Sequence, residues 1–248
     1  MKKPFKIAGI CGIIMLVIGL IVGIVSMIIS LIPILDNPSL ESMDTAEYYD
    51  LTFENTKPVY LINAIATFVV LPFLVLFIYG FVVLGKRFKN KLLMTVAWIF
   101  IVSFVLASLM TLVSVLTGDI YPDVNALKEL ATMENYNELN FFSILSESMK
   151  LGMKQNPVFA PVFYLIGESD ILFWLFLILI IIGTFLLYLL LGIGIIKLKK
   201  SQVPLAIPLG IFAILSPFWG LFDLTFRIMA IVMFFKLSKK FETKLKKK

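Results

Sequence analysis

The sequence predicts an all-α, polytopic integral membrane protein with about six transmembrane helices and with both termini in the cytoplasm. Of its 248 residues, 60% are hydrophobic, whereas a soluble domain has roughly 45–50%. The mean hydropathy is +1.00. The charged residues, 15% of the chain, fall in short clusters between apolar runs that exceed the ~20 residues needed to cross a bilayer. Most of the chain is therefore expected to lie in lipid.

Four apolar runs are each long enough to form one span. They cover residues 7–35, 59–84, 92–116 and 171–196. The first run follows three lysines near the N-terminus, as the hydrophobic region of a signal peptide does. It is about twice the ~7–15 residues of such a region, and no A-x-A-like cleavage site follows it. We therefore predict a retained first span.

The last apolar run, residues 203–235, is too long for one span and short for two. Ser216 and Pro217 near its middle are typical of a tight turn. The run therefore predicts two short helices, 203–217 and 218–235, of about 15–18 residues and ~23–27 Å each. They form either two thin spans or a re-entrant hairpin, because a bilayer core is ~30 Å thick.

The distribution of basic residues predicts the orientation of the chain. Seventeen of the 22 Lys and Arg residues lie at the N-terminus, in 85–91, in 197–202 and in the tail 236–248. Only four lie in the segments 36–58 and 118–170, which hold fourteen of the 16 acidic residues. The positive-inside rule makes these two segments outer loops of a protein of the cell membrane. Residues 1–248 thus form one predicted membrane domain.

The outer loops themselves carry two further patterns. Apolar residues at helical spacing in 125–133 and 141–151 predict short amphipathic helices that cap the outer face. Acidic residues in the first loop recur every three or four positions from Glu41 to Glu54. Because no calcium-loop spacing with its glycine accompanies them, we interpret them as a solvated face.

Several function classes are disfavoured by composition. The chain has no histidine, and its one cysteine, Cys11, lies inside the first run. A His/Cys metal site and a Cys–His catalytic pair are thereby excluded, and no cofactor or metal is predicted. The net charge of +6 is placed as topological anchors, so the basic tail 236–248 predicts contact with anionic lipid head groups and not with nucleic acid.

Small residues form a stripe along the first predicted helix. The stripe consists of Ala8, Gly12, Gly19, Gly23, Ser26 and Ser30. Gly19 and Gly23 form a G-x-x-x-G pattern, which lets a second helix approach closely. The stripe is either an interface with another chain or, as we favour in a protein with many spans, a packing surface for a helix of the same chain.

Asp223 and Arg227 are the two charged residues inside the last apolar run. They are four positions apart, so on a helix they share a face and can form an ion pair. Charges within a membrane span are energetically expensive. The pair is interpreted either as a coupling or substrate site or, as we favour, as a structural feature. In the structural case it is a clamp between helices, or a pair that reaches the outer interface because the hairpin is shallow.

The sequence thus predicts a non-enzymatic multi-pass membrane protein that acts as an accessory, assembly or regulatory component, with another membrane protein or a second copy as partner. One alternative is a transporter or channel-like subunit that uses Asp223 and Arg227. An intramembrane enzyme is the least favoured alternative, because no nucleophile, base or paired-carboxylate arrangement lies in a span.

Overall fold

A computed structural model describes residues 3–36, 45–117 and 170–246 of the chain. These residues form α-helices and short 3₁₀ turns, with no β-strand among them. The α-helices are α1 (Lys3–Asp36), α2 (Thr45–Arg87), α3 (Lys91–Thr117), α4 (Asp170–Ile196), α5 (Ala206–Leu215) and α6 (Gly220–Lys246). The predicted all-α class is confirmed. The helices predicted at 125–133 and 141–151 lie outside the described residues.

Among the described residues, four helices are long and apolar enough to cross a membrane. Their apolar parts are Lys3–Leu31, Pro58–Arg87, Lys91–Val113 and Ile171–Ser201, which match the four long runs of the sequence. Large apolar side chains on them point away from the protein, and Leu20 and Leu179 are each 67% exposed. A soluble protein rarely exposes apolar surface on this scale. These features are those of a membrane protein.

Helix α2 is longer than its apolar run. It begins at Thr45, so the predicted outer loop 36–58 is helical from that residue onward. Its 43 residues correspond to about 65 Å, roughly twice the thickness of a bilayer core. Residues 45–57 contain no glycine or proline, the residue types that most strongly disfavour a helix interior, and the helix continues through Pro58.

The chain divides into two compact units. The first comprises Met1–Ile18, Val69–Ala107 and Ile178–Lys248, and the second comprises Gly19–Phe68 and Ser108–Leu177. The hydrophobic core lies in the first unit. In the second unit the Asn63 side-chain amide donates to the Ser26 hydroxyl over 3.5 Å, which links α2 to α1.

Aromatic rings form the centre of the core of the first unit. The Phe234 ring of α6 lies 5.0 Å from Phe81 and 5.8 Å from Phe77 on α2, and 6.1 Å from Phe5 on α1. Most of these pairs are edge-to-face, the arrangement that the charge distribution of aromatic rings favours. The N-terminal part of α1 is therefore an integral part of the core.

The turn between α2 and α3 is fixed by Asn90. Its side-chain oxygen accepts a hydrogen bond from the Leu93 backbone N–H at 3.1 Å and so caps α3. Its side-chain amide donates to the Gly194 carbonyl at 2.7 Å, which ties the turn to α4. One asparagine thus holds the basic ends of three helices together.

Helices α5 and α6 form an antiparallel hairpin. The Lys240 ammonium of α6 donates to the Gln202 carbonyl, which precedes α5, at 3.2 Å. At the other end of the hairpin the Phe218 ring lies 5.5 Å from Phe185 of α4. Phe185 stands eleven residues, about 17 Å, from the C-terminal end of α4 and fifteen residues, about 22 Å, from its start. The hairpin tip is therefore level with the middle of α4.

The first arm of the hairpin is shorter than the helix predicted for 203–217. Helix α5 has 10 residues and rises about 15 Å. It begins only at Ala206, because Pro204 and the left-handed backbone of Gln202 (φ 54°) and Leu205 (φ 62°) interrupt the helix before that point. Its end at Ser216–Phe218 coincides with the turn expected from the sequence.

Candidate functional site

Asp223 and Arg227 lie at the start of α6. Asp223 is in the first turn of this helix, where its negative charge is favoured by the helix dipole. The Arg227 Nε atom lies 2.7 Å from the Asp223 Oδ2 atom. This distance is typical of a charge-assisted hydrogen bond. The structure therefore brings the two sequence-predicted site residues into direct ionic contact.

The ion pair borders a partly open cavity of about 40 Å³ in the first unit. Five helices contribute to its wall. The lining residues are Met15, Leu74, Phe77, Ile78, Phe81, Phe100, Phe104, Tyr188, Leu191, Asp223, Phe226 and Arg227. The side chains of Arg227 and Asp223 remain 37% and 26% exposed, since both border this open space.

Tyr188 is the third polar side chain of the cavity, and no sequence pattern indicated it. Its ring packs edge-to-face on Phe100 at 5.1 Å, which fixes the direction of the hydroxyl. Tyr188 lines the same cavity as Asp223 and Arg227. Tyr188 is 35 positions from Asp223 in the chain, so only the packing of α4 against α6 shows that they belong together.

The size and lining of the cavity limit its chemistry. The cavity is small, with a volume of about 40 Å³, and it is partly open. The Asp223 carboxylate already pairs with Arg227, and the cavity lining contains no histidine, cysteine or second carboxylate. General acid–base catalysis needs a group that is free to exchange a proton in contact with a substrate. The arrangement is better suited to holding a charge pair and a few waters.

The small-residue stripe of α1 divides into two parts. A β-carbon added to Gly12 would stand 2.5 Å from Ile231 and 2.9 Å from Phe77, so this position is closely packed by α6 and α2. A β-carbon added to Gly19 or Gly23 would have no atom within 4 Å in the described part of the chain. Packing among the described residues thus accounts for the part around Gly12 and not for the G-x-x-x-G pair.

A basic groove, which we did not predict, lies between the end of α2 and the start of α3. It has a volume of about 540 Å³ and is lined by Tyr79, Val82, Gly85, Lys86, Lys89, Lys91, Met94 and Trp98. The sequence indicated these lysines only as topological anchors. The signal that could have revealed the groove is that Tyr79 precedes Lys86, and Trp98 follows Lys91, by the same seven residues.

No metal centre is formed by the described residues. They contain no group of three His, Cys, Asp or Glu side chains close enough to hold an ion. All fourteen acidic residues of the predicted outer loops lie beyond the described ranges or have no described side chain.

The fold and the site define a class of protein. This is a helical membrane protein in which four long apolar helices accompany a short hairpin that carries an ion pair. In comparisons with models of protein families, with curated proteins and with solved structures, no match to the chain was found.

Proposed function

We propose that the protein is a non-enzymatic component of the cell membrane that binds a transmembrane helix of another membrane protein, in assembly or regulation. In this proposal α1 to α4 cross the membrane, α5 and α6 form a re-entrant hairpin, and both termini are cytoplasmic. The partner helix docks on the part of α1 that contains Gly19 and Gly23.

The open G-x-x-x-G pair carries this proposal. A glycine in a helix interior costs about 1 kcal/mol relative to alanine, and neither Gly19 nor Gly23 is compensated by a close neighbour among the described residues. In membranes such pairs compensate that cost by letting two helices approach closely. Gly183 of α4 is also open, but it stands alone, so it forms no groove for a second helix.

The charged site supports the same class of function. Asp223 and Arg227 neutralise each other, and apart from this pair and Tyr188 the cavity beside them is lined by apolar side chains. The pair lies within one helix, so it lets α6 carry both charges in a membrane at a lower energetic cost. The surface left for a specific interaction is therefore the outside of the helices.

The test is affinity capture of a tagged full-length chain in mild detergent, with quantitative mass spectrometry of the captured membrane proteins. The variant is Gly19→Leu with Gly23→Leu, which fills the groove. The matched control is Gly183→Leu, which adds the same side chain at the isolated open glycine. We expect the double variant to lose a partner at least tenfold, and the control to retain it.

Two outcomes would overturn the proposal. Equal capture of the same membrane proteins by the double variant would show that this part of α1 is not an interface. The second outcome concerns the kind of partner: if a cysteine at position 19, in a chain with Cys11→Ser, crosslinks to a second copy and to no other protein, the face serves a homodimer and not a heterologous partner.

A second candidate, a transporter or channel-like subunit, is favoured by one specific observation. The hairpin tip is level with the middle of α4, so in a bilayer the start of α6 and its ion pair would lie near the midplane. Transporters often place their substrate sites at such interrupted helices. The test is to measure ion and proton flux in proteoliposomes that contain either the wild type or the double variant Asp223→Asn with Arg227→Leu. Loss of an ion or proton flux seen in the wild type would favour transport, and an absence of flux in the wild type would exclude it for those ions.

A further inference from the structure

We propose that the basic groove between α2 and α3 binds one anionic phospholipid from the adjoining leaflet. The lipid phosphate lies against Lys86, Lys89 and Lys91, and the glycerol and first acyl carbons lie along the apolar wall that ends at Tyr79 and Trp98. This inference does not depend on the partner interface proposed for α1.

The three lysines supply an unneutralised positive charge. All three side chains are exposed, and among the described side chains no carboxylate lies within 4 Å of them. Lys91 opens α3, where a positive charge opposes the helix dipole. Lys89 has a left-handed backbone, with φ at 52°, which is unfavourable for a residue with a side chain. A bound anion would offset the mutual repulsion of these charges.

The opposite end of the groove is aromatic. The Tyr79 and Trp98 rings pack edge-to-face at 6.2 Å, with an interplanar angle of 72°, and so join α2 to α3. Both remain partly open, with Tyr79 41% and Trp98 47% exposed. Each ring stands seven residues, about 10 Å, from a lysine on its own helix. Tyrosine and tryptophan favour this depth, where head groups meet acyl chains.

The wall between the two ends identifies a lipid and not a free phosphate. Val82 and Met94 line the groove between the lysines and the aromatic pair. Soluble phosphate would contact only the lysines and would leave this apolar wall uncovered. A phospholipid covers both parts. The distance between its phosphate and its acyl chains is similar to the distance between the lysines and the aromatic pair. Basic pockets between membrane helices on the cytoplasmic side are a recognised setting for acidic head groups.

The groove is held in shape by the backbone around it. A β-carbon on Gly85 would stand 2.8 Å from the Met94 backbone nitrogen, so glycine is required for the two helices to approach this closely. The hydrogen bond from Asn90 to the Gly194 carbonyl, 2.7 Å long, fixes the turn from the other side. A site that is already formed loses little entropy when it binds its ligand.

Trp98 provides the readout for a direct test. A full-length chain with Trp174→Phe and Trp219→Phe keeps Trp98 as its only tryptophan. It is reconstituted in nanodiscs of phosphatidylcholine that contain increasing fractions of phosphatidylglycerol with brominated acyl chains, which quench tryptophan on contact. We expect half-maximal quenching at a mole fraction at least fivefold lower than with brominated phosphatidylcholine as the quencher.

The matched controls separate a site from general attraction. Replacing Lys86, Lys89 and Lys91 with glutamine should abolish the preference for phosphatidylglycerol. The same replacement of Lys197, Lys199 and Lys200 removes equal charge from the adjacent 3₁₀ turn and should leave the preference intact. Equal loss in both triple variants would overturn the proposal in favour of nonspecific anchoring. If the first triple variant does not fold, single replacements at the three groove positions must each weaken the preference, and single replacements in the turn must not.

A final arm distinguishes lipid from soluble phosphate. Glycerol phosphate is added at 10 mM, on the order of a hundredfold above the dissociation constant of a weak phosphate site. It should not relieve the quenching of Trp98 by brominated phosphatidylglycerol. Relief at that concentration would show that the lysines bind phosphate without the acyl chains, and the assignment to a phospholipid would be wrong.

Discussion

Gly192 of α4 and Gly210 of α5 face each other at a close approach of the two helix backbones. A β-carbon on Gly192 would stand 2.5 Å from the Gly210 carbonyl oxygen, and one on Gly210 would stand 2.7 Å from the Gly192 carbonyl oxygen. Real β-carbons essentially never approach an atom below 3.0 Å. The short helix of the hairpin is thus held against α4 by a pair of glycines that tolerate no side chain.

Replacing either of these glycines with alanine should therefore destabilise the protein. Besides an isoleucine side chain at each position, the obstructing atoms include a backbone oxygen, which cannot move aside as a side chain can. Overpacking of this kind costs about 1–3 kcal/mol. Gly183→Ala is the control on the same helix, because its β-carbon meets nothing within 4 Å. It should stabilise by up to about 1 kcal/mol through helix propensity. Thermal unfolding in detergent measures both changes, and a Gly192→Ala protein as stable as the wild type would contradict the close approach.

The main features of the fold follow from run length and turn residues. Four helices long enough to cross a membrane could be predicted because each apolar run exceeds the bilayer thickness. The turn at Ser216–Phe218 could be predicted because proline and a small polar residue interrupt the last run. The short length of α5 could not be predicted, since the left-handed backbone of Leu205 depends on packing. The contact of Gly192 with Gly210 joins separate elements and leaves no periodic pattern.

Only the residues of the candidate site that are neighbours in the sequence could be predicted. The spacing of Asp223 and Arg227 brings them together on any helix, so one-dimensional reasoning suffices for that pair. Tyr188 and the five-helix wall of the cavity come from distant parts of the chain. The same limit applies to α1, where sequence cannot distinguish the packed Gly12 from the open Gly19.

Asn90 provides a second stability prediction. It accepts from the Leu93 N–H and donates to the Gly194 carbonyl, so Asn90→Ala removes a helix cap and a contact between helices, at about 1–3 kcal/mol in total. Asn90→Asp keeps the cap acceptor but loses the donor, so its stability should fall between those of the wild type and Asn90→Ala. Asn63→Ala is the comparison, since its link to Ser26 is long at 3.5 Å. Denaturant or thermal unfolding should rank the stabilities of the wild type and the three variants. If Asn90→Ala is no less stable than Asn63→Ala, Asn90 does not hold the helix ends together.

The return of the hairpin predicts the accessibility of the tail. Because Lys240 contacts the Gln202 carbonyl, residues 240 and 199 must lie on the same side of the membrane. In a chain with Cys11→Ser, cysteines at these two positions should react with an impermeant thiol reagent only after the cells are opened. A cysteine at Ser42, in the predicted outer loop 36–58, should react on intact cells. Labelling of position 240 but not of position 199 on intact cells would contradict the contact itself.

The last prediction concerns the dependence of Asp223 and Arg227 on each other. An unpaired charge at the centre of a membrane helix costs ~2.5–3.5 kcal/mol on insertion scales. Because both side chains are partly exposed, the effect should be reduced to about 1–3 kcal/mol. Asp223→Asn or Arg227→Leu alone leaves its partner unpaired, whereas the double replacement leaves no charge, so removing one should be worse than removing both. The stability of the four proteins forms a double-mutant cycle, with an expected coupling of about 1 kcal/mol or more. If the pair is only structural, the double variant should be stable and should retain the activity of the wild type, partner capture or flux. If the pair is a coupling site, the double variant should be stable but should lose flux. Strictly additive single effects would show that the 2.7 Å contact contributes nothing, and that both side chains are solvated independently.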